Sequence, residues 1–264
     1  MIRRVDCLWM NVRLDMHAAT HKGLVRQRNE DSWWFDTTSG IAVVADGMGG
    51  HPAGADASAL AVGAFADAFG DGGHEESFEE LGETMAEAVG QAHESIRDAV
   101  DDDESLDGMG TTLTALAFGS EGGLVVGHVG DSRAYRFRSD ALEQLTEDHT
   151  WVADAIASGQ LSPDVATSHP LSHVLSQAVG VDLPPTPDVT QHEVQSGDVY
   201  LLCSDGLTGP VSDDLIRQIL SDTVPNGRLE DAPPRLIEAA LAAGGPDNIT
   251  TVLVRVLAAS TPSA

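Results

Sequence analysis

The stretch Ile41-Ala42-Val43-Val44-Ala45-Asp46-Gly47 decides the fold. Five apolar residues without alternation predict a short strand that is buried on both faces. The run then ends in aspartate and glycine, which on their own form an ordinary turn. The glycine lets the backbone turn sharply and leaves its carbonyl oxygen free to bind a ligand.

The same ending recurs in three other places along the chain. In each, an apolar run or a glycine-rich turn ends in an aspartate followed by a small or turn-forming residue; the four aspartates are Asp46, Asp131, Asp205 and Asp247. Carboxylates at the ends of neighbouring buried strands repel one another where the dielectric constant is low. The four together therefore favour a divalent-cation site over four separate turns. A further acidic pair, Glu30-Asp31, lies near the first predicted strand.

The candidate ligands are all oxygen donors, and no histidine or cysteine set accompanies them. Hard oxygen donors favour Mg²⁺ or Mn²⁺ over zinc. Ca²⁺ stays open as an alternative, although the spacing of a calcium-binding EF-hand is absent. The two cysteines, Cys7 and Cys203, lie far apart in the sequence, which disfavours a zinc site or a disulfide framework.

Length and charge narrow the class of protein. The chain has 264 residues, 42% of them hydrophobic, which suits one globular domain. Its formal net charge of −28 largely excludes a protein that binds the nucleic-acid backbone and argues against docking on anionic membranes. We expect a monomer in the cytoplasm.

Periodicity predicts an α+β fold, because strand-like runs cluster and helices come in pairs. The predicted strands are 41–45, 124–129, 134–137, 199–203 and 250–256, and the predicted helices are 53–69, 75–100, 213–220 and 234–243. Gly130-Asp131-Ser132-Arg133 is interpreted as a hairpin-like connection, and 101–107 as a solvated acidic loop. An ambiguous segment with Gly159, Pro163 and Pro170 predicts a helical insert or flap at about 150–175.

An ordered set of segments makes the chain similar to a known family. The set is Gly23-Leu-Val-Arg-Gln-Arg-Asn-Glu-Asp31, Val44-Ala-Asp-Gly-Met-Gly-Gly-His51, Gly108-Met-Gly-Thr-Thr-Leu113, Gly127-His-Val-Gly-Asp-Ser-Arg-Ala-Tyr135, Leu145-Thr-Glu-Asp-His149, Leu202-Cys-Ser-Asp-Gly-Leu207 and Gly245-Pro-Asp-Asn-Ile-Thr250. It resembles the metal-dependent PP2C-type (PPM) protein serine/threonine phosphatases in their bacterial form. The resemblance covers about residues 17 to 256.

The resemblance implies a four-layer αββα sandwich, two antiparallel sheets flanked by paired helices, with two Mn²⁺ or Mg²⁺ ions at one edge. Asp46 would bridge the two ions, and the Gly47 carbonyl would complete the first. Asp205 and Asp247 would hold the second ion, and Asp131 with Asp205 a third, weaker one. Glu30 and Asp31 would act on the ions through metal-bound waters, and Asn248 would support the ligands without binding an ion directly.

The implied reaction hydrolyses phosphoserine and phosphothreonine by a water that the two ions activate. Arg26 would grip the substrate phosphate, since a guanidinium matches two phosphate oxygens. Met48 stands where eukaryotic relatives have a histidine and has no proton to donate. We therefore assign the proton for the leaving group to a metal-bound water, with His51 as a second candidate.

Other residues have structural interpretations. His149 is expected to be a hydrogen-bonding residue, His128 a residue of the core or sheet face, and Arg133 a partner of an acidic group. Thr111 and Thr112 are interpreted as stabilising a helix-to-strand join, and Cys203 as buried and inert. The segment His169-Pro-Leu-Ser-His173 lacks the arginine that often follows His-Pro in relatives, so substrate preference is expected to differ.

The predicted organisation is a disordered leader at 1–12, a single phosphatase domain at 13–258 and a tail at 259–264. The expected partners are phosphorylated proteins and a cognate Ser/Thr kinase, with no nucleic acid and no membrane. Two alternatives stay open. One is a phosphatase with a different target, an anti-sigma-antagonist protein. The other is an acidic binding module that uses its metals structurally.

Overall fold

A computed structural model of the chain describes residues 12–48, 53–69, 77–119, 122–162, 164, 169–225 and 228–258. Its strands are β1 (Val12–His21), β2 (Asp31–Asp36), β3 (Ile41–Met48), β4 (Gly110–Thr111), β5 (Leu113–Gly119), β6 (Gly123–Val129), β7 (Arg133–Arg138), β8 (Ala141–Gln144), β9 (Asp188–Glu193), β10 (Val199–Cys203) and β11 (Ile249–Ala258). Its α-helices are α1 (Ala53–Phe69), α2 (Phe78–Asp102), α3 (Trp151–Ala157), α4 (Asp205–Thr208), α5 (Asp213–Thr223) and α6 (Ala232–Ala242).

The strands form two antiparallel sheets. The order of one sheet is β1-β11-β10-β7-β8, and that of the other is β2-β3-β5-β6-β9, with the short β4 paired to the end of β3. The apolar stretch that ends in Asp46 and Gly47, β3, lies between β2 and β5, with Val44 opposite Trp33 on one side and Thr114 on the other. The uniform burial of its residues 41–45 follows from this central position.

Three apolar clusters fill the spaces between four layers. Helices α1 and α2 cover the outer face of the β3 sheet through residues such as Phe65 and Met85. Helices α5 and α6 cover the other sheet through residues such as Ile216 and Leu236. The third cluster lies between the sheets, where Leu116 and Val254 are both fully buried. The predicted αββα sandwich is therefore confirmed.

Local signals explain where the helices begin. The Ser77 hydroxyl accepts the Glu80 N–H, and the Glu80 carboxylate accepts the Ser77 N–H, which is a capping box at the start of α2. Ser212 accepts the Leu215 N–H at the start of α5. The four helices that the periodicity predicts are all present, with ends that differ by a few residues.

Two local predictions are wrong. Gly130-Asp131-Ser132-Arg133 does not close a hairpin, because β6 pairs with β5 and β9 whereas β7 pairs with β10 and β8 in the other sheet. Gly130, with a positive φ of 108°, turns the chain across from one sheet to the other. The acidic run at 101–107 is mostly exposed as expected, but it is not a loop throughout. Its first two residues are the end of α2, and Glu104–Leu106 form a 3-10 helix.

Several strands carry weak signals and were not predicted. In β1, Leu14 and Met16 are buried between the sheets, whereas Asp15 lies outside them and pairs with Arg255 of β11 at 2.7 Å. In β5, the alanine-rich sequence is also compatible with a helix. These strands depend on their neighbours more than on their own pattern.

The predicted flap contains α3, and the Thr150 hydroxyl caps the start of this helix by accepting the Ala153 N–H. The two ends of the flap meet in an isolated β-bridge between Thr150 and Leu175. Of the predicted leader at 1–12, only Val12 lies within the described residues, and it begins β1. The tail at 259–264 lies outside them, and the predicted domain limits stay a prediction. None of the helices in the described part of the chain combines the length and apolar character needed to cross a lipid bilayer.

Candidate functional site

The acidic residues gather because strand ends meet at one edge of the sandwich. Asp46 near the end of β3 lies opposite Asp31 at the start of β2. Asp205 follows β10 and Asp247 precedes β11, and these two strands are antiparallel neighbours, so their two ends lie side by side. Asp131 follows β6 in the other sheet. The topology therefore brings carboxylates from both sheets to the same place.

An open cavity of about 650 Å³ marks this edge. Seven of the nine sequence-predicted site residues line it, namely Arg26, Glu30, Asp46, Gly47, Asp131, Asp205 and Asp247. The remaining two, Asp31 and Asn248, are not among its lining residues.

Asp31 and Asn248 support the site through hydrogen bonds. Asp31 Oδ2 accepts hydrogen bonds from the hydroxyls of Ser204 at 2.8 Å and Thr250 at 2.6 Å. Asn248 Oδ1 accepts the Glu30 N–H at 2.8 Å, and its amide nitrogen donates to the carbonyls of Lys22 and Arg28. Asn248 thus fastens the segment that carries Glu30 to the start of β11.

Burial and mutual repulsion raise the pKa values of the acidic side chains. Burial is the main cause for Asp46, whose pKa lies well above its usual range, and repulsion from Asp31 and Asp205 adds to it. Burial and repulsion from Asp247 raise the pKa of Asp205 as well, although a hydrogen bond with Asp46 opposes the rise. Burial raises the pKa values of both Asp31 and Asp131 to about 7.

These oxygens fit a hard divalent cation. Among the described residues, no arginine or lysine forms an ion pair with Asp31, Asp46, Asp131 or Asp205. Buried oxygens of two of them, Asp31 Oδ1 and Asp205 Oδ1, accept no hydrogen bond from any described residue. Asp205 nevertheless keeps 27% of its side-chain surface exposed, so an ion can reach the cluster. A buried cluster of carboxylates that lack a paired arginine or lysine requires a cation or protons.

The side chains do not form a finished ligand cage. In the described part of the chain, no group of three or more His, Cys, Asp or Glu side chains is arranged as a metal-binding cluster. Carboxylates that repel one another are not expected to converge on one point without the cation between them. The assignment of Asp46 to both ions, and of Asp205 and Asp247 to the second ion, therefore stays a prediction.

Gly47 is required by close packing. Its N–H donates to the Glu30 carbonyl at 3.2 Å. A Cβ atom at this position would lie 2.0 Å from the Gly54 carbonyl oxygen at the start of α1. Only glycine allows β3 and α1 to approach this closely next to Asp46.

Arg26 lies at the cavity, where it pairs with Asp247 and stays half exposed. Its guanidinium donates to Asp247 Oδ2 at 2.6 Å and keeps 54% of its surface exposed. The hydrogen bond with Asp247 is the main cause that raises the pKa of Arg26, so the side chain is cationic beside the cavity. Met48 lines the cavity too, whereas His51 lies outside the described residues.

The interpretation of Thr111 and Thr112 was too local. The Thr112 hydroxyl accepts the Asp46 N–H at 2.9 Å, and the Thr111 hydroxyl donates to the Asp46 carbonyl at 2.9 Å. Ser132, which directly follows Asp131, binds the Thr112 hydroxyl at 2.7 Å. In the sequence, these hydroxyl residues lie next to Gly110 and Asp131, which could have drawn attention to them. Sequence spacing does not show that Thr112 and Ser132 contact each other.

The remaining structural interpretations are confirmed, except that the inertness of Cys203 stays a prediction. Arg133 binds both oxygens of Asp148, at 2.8 and 2.7 Å. His149 Nδ1 accepts the Gly130 N–H at 3.2 Å. His128 and Cys203 are buried.

The flap adds a second cavity beside the first. It measures about 370 Å³, and one wall is Val152, Ala153 and Ile156 of α3. The two cavities share Asp131, Asp205, Gly209 and the flap residue His173, whose Nδ1 lies 3.9 Å from Asp205 Oδ2. His173 was not predicted from the sequence as a residue of the site. A ligand in the first cavity can therefore extend into the second.

Known proteins are similar to this chain in sequence and in fold. The serine/threonine protein phosphatase PstP of Mycobacterium tuberculosis (strain CDC 1551 / Oshkosh) is 41% identical over 242 residues, which are 91% of this chain and 44% of PstP. This chain therefore spans less than half the length of that relative. The serine/threonine phosphatase stp of Listeria innocua is 36% identical over 244 residues, covering 90% of this chain and 95% of that protein.

A solved structure agrees with the fold. The catalytic domain of serine threonine protein phosphatase PstP, in complex with two manganese ions, superposes with a TM-score of 0.82 at 37% identity. The superposition covers 93% of this chain and 99% of that chain. The profile of the family described as Protein phosphatase 2C matches residues 18–242. With its αββα layers and its carboxylates gathered at one edge, the chain belongs to the protein phosphatase 2C family.

Proposed function

We propose that this protein is an Mn²⁺- or Mg²⁺-dependent phosphatase that hydrolyses phosphoserine and phosphothreonine in proteins. One observation carries the proposal: the carboxylates of Asp46, Asp131, Asp205 and Asp247, which come from both sheets, line one open cavity. Among the described residues, neither Asp46 nor Asp131 forms an ion pair with an arginine or lysine. Family membership and the two manganese ions of the PstP catalytic domain support the same conclusion.

The residues have distinct proposed roles. Asp46 would bridge two ions, Gly47 would offer its carbonyl to one of them, and Asp205 and Asp247 would hold the other. Asp131 with Asp205 would hold a third, weaker ion. When bound, the divalent ions lower the pKa of a water molecule and orient it for in-line attack on phosphorus.

The surrounding residues keep the ligands in place. Ser204 and Thr250 bind only one oxygen of Asp31 and leave the other free. Asp31 can thus act on the ions through intervening water, as Glu30 can from the cavity wall. Asn248 holds the Glu30 segment against β11.

Arg26 is the proposed phosphate-binding residue. Its exposed guanidinium lies at the cavity next to Asp247, and a planar guanidinium can donate two parallel hydrogen bonds to phosphate oxygens. The hydrogen bond to Asp247 holds it at the mouth of the site. Met48 has no proton to donate, so the leaving alkoxide receives its proton from solvent within the cavity or from His51.

The flap cavity is the proposed binding site for the peptide beside the phosphorylated residue. It joins the catalytic cavity at Asp131, Asp205 and His173 and has an apolar wall from α3. This geometry allows the flap to select protein substrates while small phosphate esters need only the first cavity.

The first experiment measures hydrolysis of p-nitrophenyl phosphate and a phosphothreonine peptide with Mn²⁺, with Mg²⁺ and with EDTA. We expect turnover of both substrates that requires the metal. Absence of turnover by a folded protein that binds Mn²⁺ would contradict the proposed function and favour the metal-binding module instead.

The second experiment tests the flap. Ala153→Arg places a large side chain in the flap cavity, whereas Ala157→Arg places the same side chain on the exposed face of α3, outside that cavity. We expect Ala153→Arg to lower kcat/KM for the peptide about tenfold and to leave p-nitrophenyl phosphate hydrolysis unchanged. Equal effects of the two variants would contradict the role of the flap cavity.

The proposal extends to partners and location. We propose phosphorylated proteins as substrates and a cognate Ser/Thr kinase whose products this enzyme dephosphorylates. We propose a monomer that acts in the cytoplasm without nucleic acid or membrane, which the net charge of −28 supports.

A further inference from the structure

Thr112 contacts the backbone of one proposed metal ligand, Asp46, and both neighbours of another, Asp131. Its hydroxyl accepts the Asp46 N–H at 2.9 Å, and its own N–H donates to the Asp46 carbonyl at 2.9 Å. Both main-chain polar groups of Asp46 are therefore bound to this one residue. Thr112 lines the catalytic cavity but is only 2% exposed, so little of the residue is open to competition from water.

Thr112 also brackets Asp131 on both sides. Its hydroxyl binds the hydroxyl of Ser132 at 2.7 Å, and Ser132 is fully buried. On the other side, a Cβ atom at Gly130 would lie 2.6 Å from Thr112 Cγ2, so the glycine backbone lies directly against the threonine methyl group. A hydroxyl bond after Asp131 and a steric contact before it fix this turn relative to Thr112.

We propose that Thr112, together with Ser132, is a positioning residue that sets the distance between the carboxylates of Asp46 and Asp131. It thereby couples the two-ion site at Asp46 to the third, weaker ion at Asp131. This inference rests on the metal assignments proposed above. Rigid placement matters because the carboxylates repel one another and separate unless the backbone restrains them.

The decisive variants change one group each. Thr112→Val keeps the shape of the side chain and removes its hydroxyl, and Thr112→Ser restores the hydroxyl without the methyl group. Thr146→Val is the matched control, because the buried Thr146 hydroxyl also accepts a backbone N–H, that of Ala134, at 3.2 Å without contacting Asp46 or Asp131. Mn²⁺ binding is measured by calorimetric titration and by electron paramagnetic resonance of the bound ions.

We expect Thr112→Val to weaken Mn²⁺ binding about 10- to 100-fold and to change the resonance spectrum of the ion pair. Thr112→Ser should restore the two-ion spectrum, and Thr146→Val should lower the melting temperature while leaving Mn²⁺ affinity unchanged. Wild-type affinity and spectrum in a folded Thr112→Val variant would overturn the proposal, as would equal weakening by Thr146→Val.

Ser132→Ala is a second route if Thr112→Val does not fold. It removes only the hydroxyl bond on the Asp131 side, so we expect the weaker ion to lose affinity and the tighter pair to keep it. Unchanged binding of the weaker ion would overturn the proposal. A wild-type protein that binds no Mn²⁺ would overturn the proposed metal site itself. If the wild type binds Mn²⁺ and hydrolyses substrate, a negative result with the variants counts against the role of Thr112 alone.

Discussion

Two sets of recessed carboxylates in this protein have opposite environments. The strand-end carboxylates, Asp31, Asp46, Asp131 and Asp205, lie beside one another, and none forms an ion pair with an arginine or lysine of the described residues. The arginine-paired carboxylates, Asp15, Asp148 and Asp198, each bind an arginine. Both sets lie in or near the sandwich, so burial alone does not distinguish them.

The pKa values separate the two sets. Burial raises the pKa of Asp131 to about 7, whereas a hydrogen bond from His17, aided by Arg255, lowers the pKa of Asp15 to about 2. For Asp198, burial would raise the pKa, but hydrogen bonds from Arg138 and the Gln195 N–H more than offset it. The arginine-paired carboxylates therefore stabilise the fold, whereas the strand-end carboxylates, which have no arginine or lysine partner, are available to bind a cation.

The largest expected effect comes from removing a strand-end charge. Asp46→Asn should lower kcat about a thousand-fold or more, because the residue proposed to bridge the ions is lost. In EDTA the same variant should melt about 3 °C higher, since burial and repulsion no longer act on a carboxylate. Phosphopeptide assays and thermal melts check both outcomes.

Asp98→Asn is the control for Asp46→Asn, because Asp98 is exposed on α2 away from the cavity. It should change neither activity nor melting temperature. An Asp46→Asn variant that is less stable in EDTA than the wild type would show that the strand-end charge is compensated after all.

Breaking an arginine-paired carboxylate should have the opposite consequence. Arg138→Met leaves Asp198, which is 1% exposed, without its main partner and should cost about 3 kcal/mol of unfolding free energy. Activity per folded molecule should not change, because neither residue lines the catalytic cavity. Urea unfolding measures the loss.

Arg217→Met is the matched control, since Arg217 pairs with the exposed Asp140 at 3.2 Å. Exposed ion pairs contribute less than about 1 kcal/mol. If Arg138→Met cost no more than Arg217→Met, the distinction between paired and unpaired carboxylates would have no basis in stability.

The pH dependence of stability should also differ between the sets. The folded pKa of Asp131, about 7, lies above its ordinary value of 3.8, so the folded state binds more protons and loses stability as pH rises from about 4 to 7. In EDTA, the stability of Asp131→Asn relative to the wild type should therefore increase over this range, by about 3 kcal/mol.

Thermal melts at pH 4, 5, 6 and 7 in EDTA measure that difference. Asp15→Asn is the contrast, because the folded pKa of Asp15, about 2, lies below 3.8. Its stabilising contribution is lost only as pH falls from 3.8 towards 2, so the stability difference between Asp15→Asn and the wild type should stay nearly constant from pH 4 to 7. A stability difference for Asp131→Asn that stays constant from pH 4 to 7 would contradict the raised pKa.

The smallest expected effect concerns a supporting hydroxyl. Tyr200 donates to Asp198 Oδ2 at 3.1 Å, beside the stronger bonds from Arg138. Tyr200→Phe should cost about 1 kcal/mol of unfolding free energy. In the Arg138→Met background the same change should cost more, because the hydroxyl is then the main remaining side-chain donor. Additive losses would show that the two donors act independently.

Much of the fold could be predicted from local pattern. The apolar run at β3 and the periodic residues of α2 and α5 indicate their elements because burial repeats at the period of each structure. The β6–β7 connection was misread as a hairpin, since the sequence of a turn does not show which sheet the next strand joins. Strands such as β1 depend on cross-strand partners, here Arg255 for Asp15.

The same division applies to the site. The sequence by itself determined the oxygen donors, their order along the chain and the family, because ligand chemistry and motif spacing are local properties. Only the tertiary structure decided which carboxylates meet, that Asp31 is held by Ser204 and Thr250, and that Thr112 touches the surroundings of both Asp46 and Asp131. These contacts join residues far apart in the sequence, and they exist because antiparallel strands from two packed sheets end at the same edge.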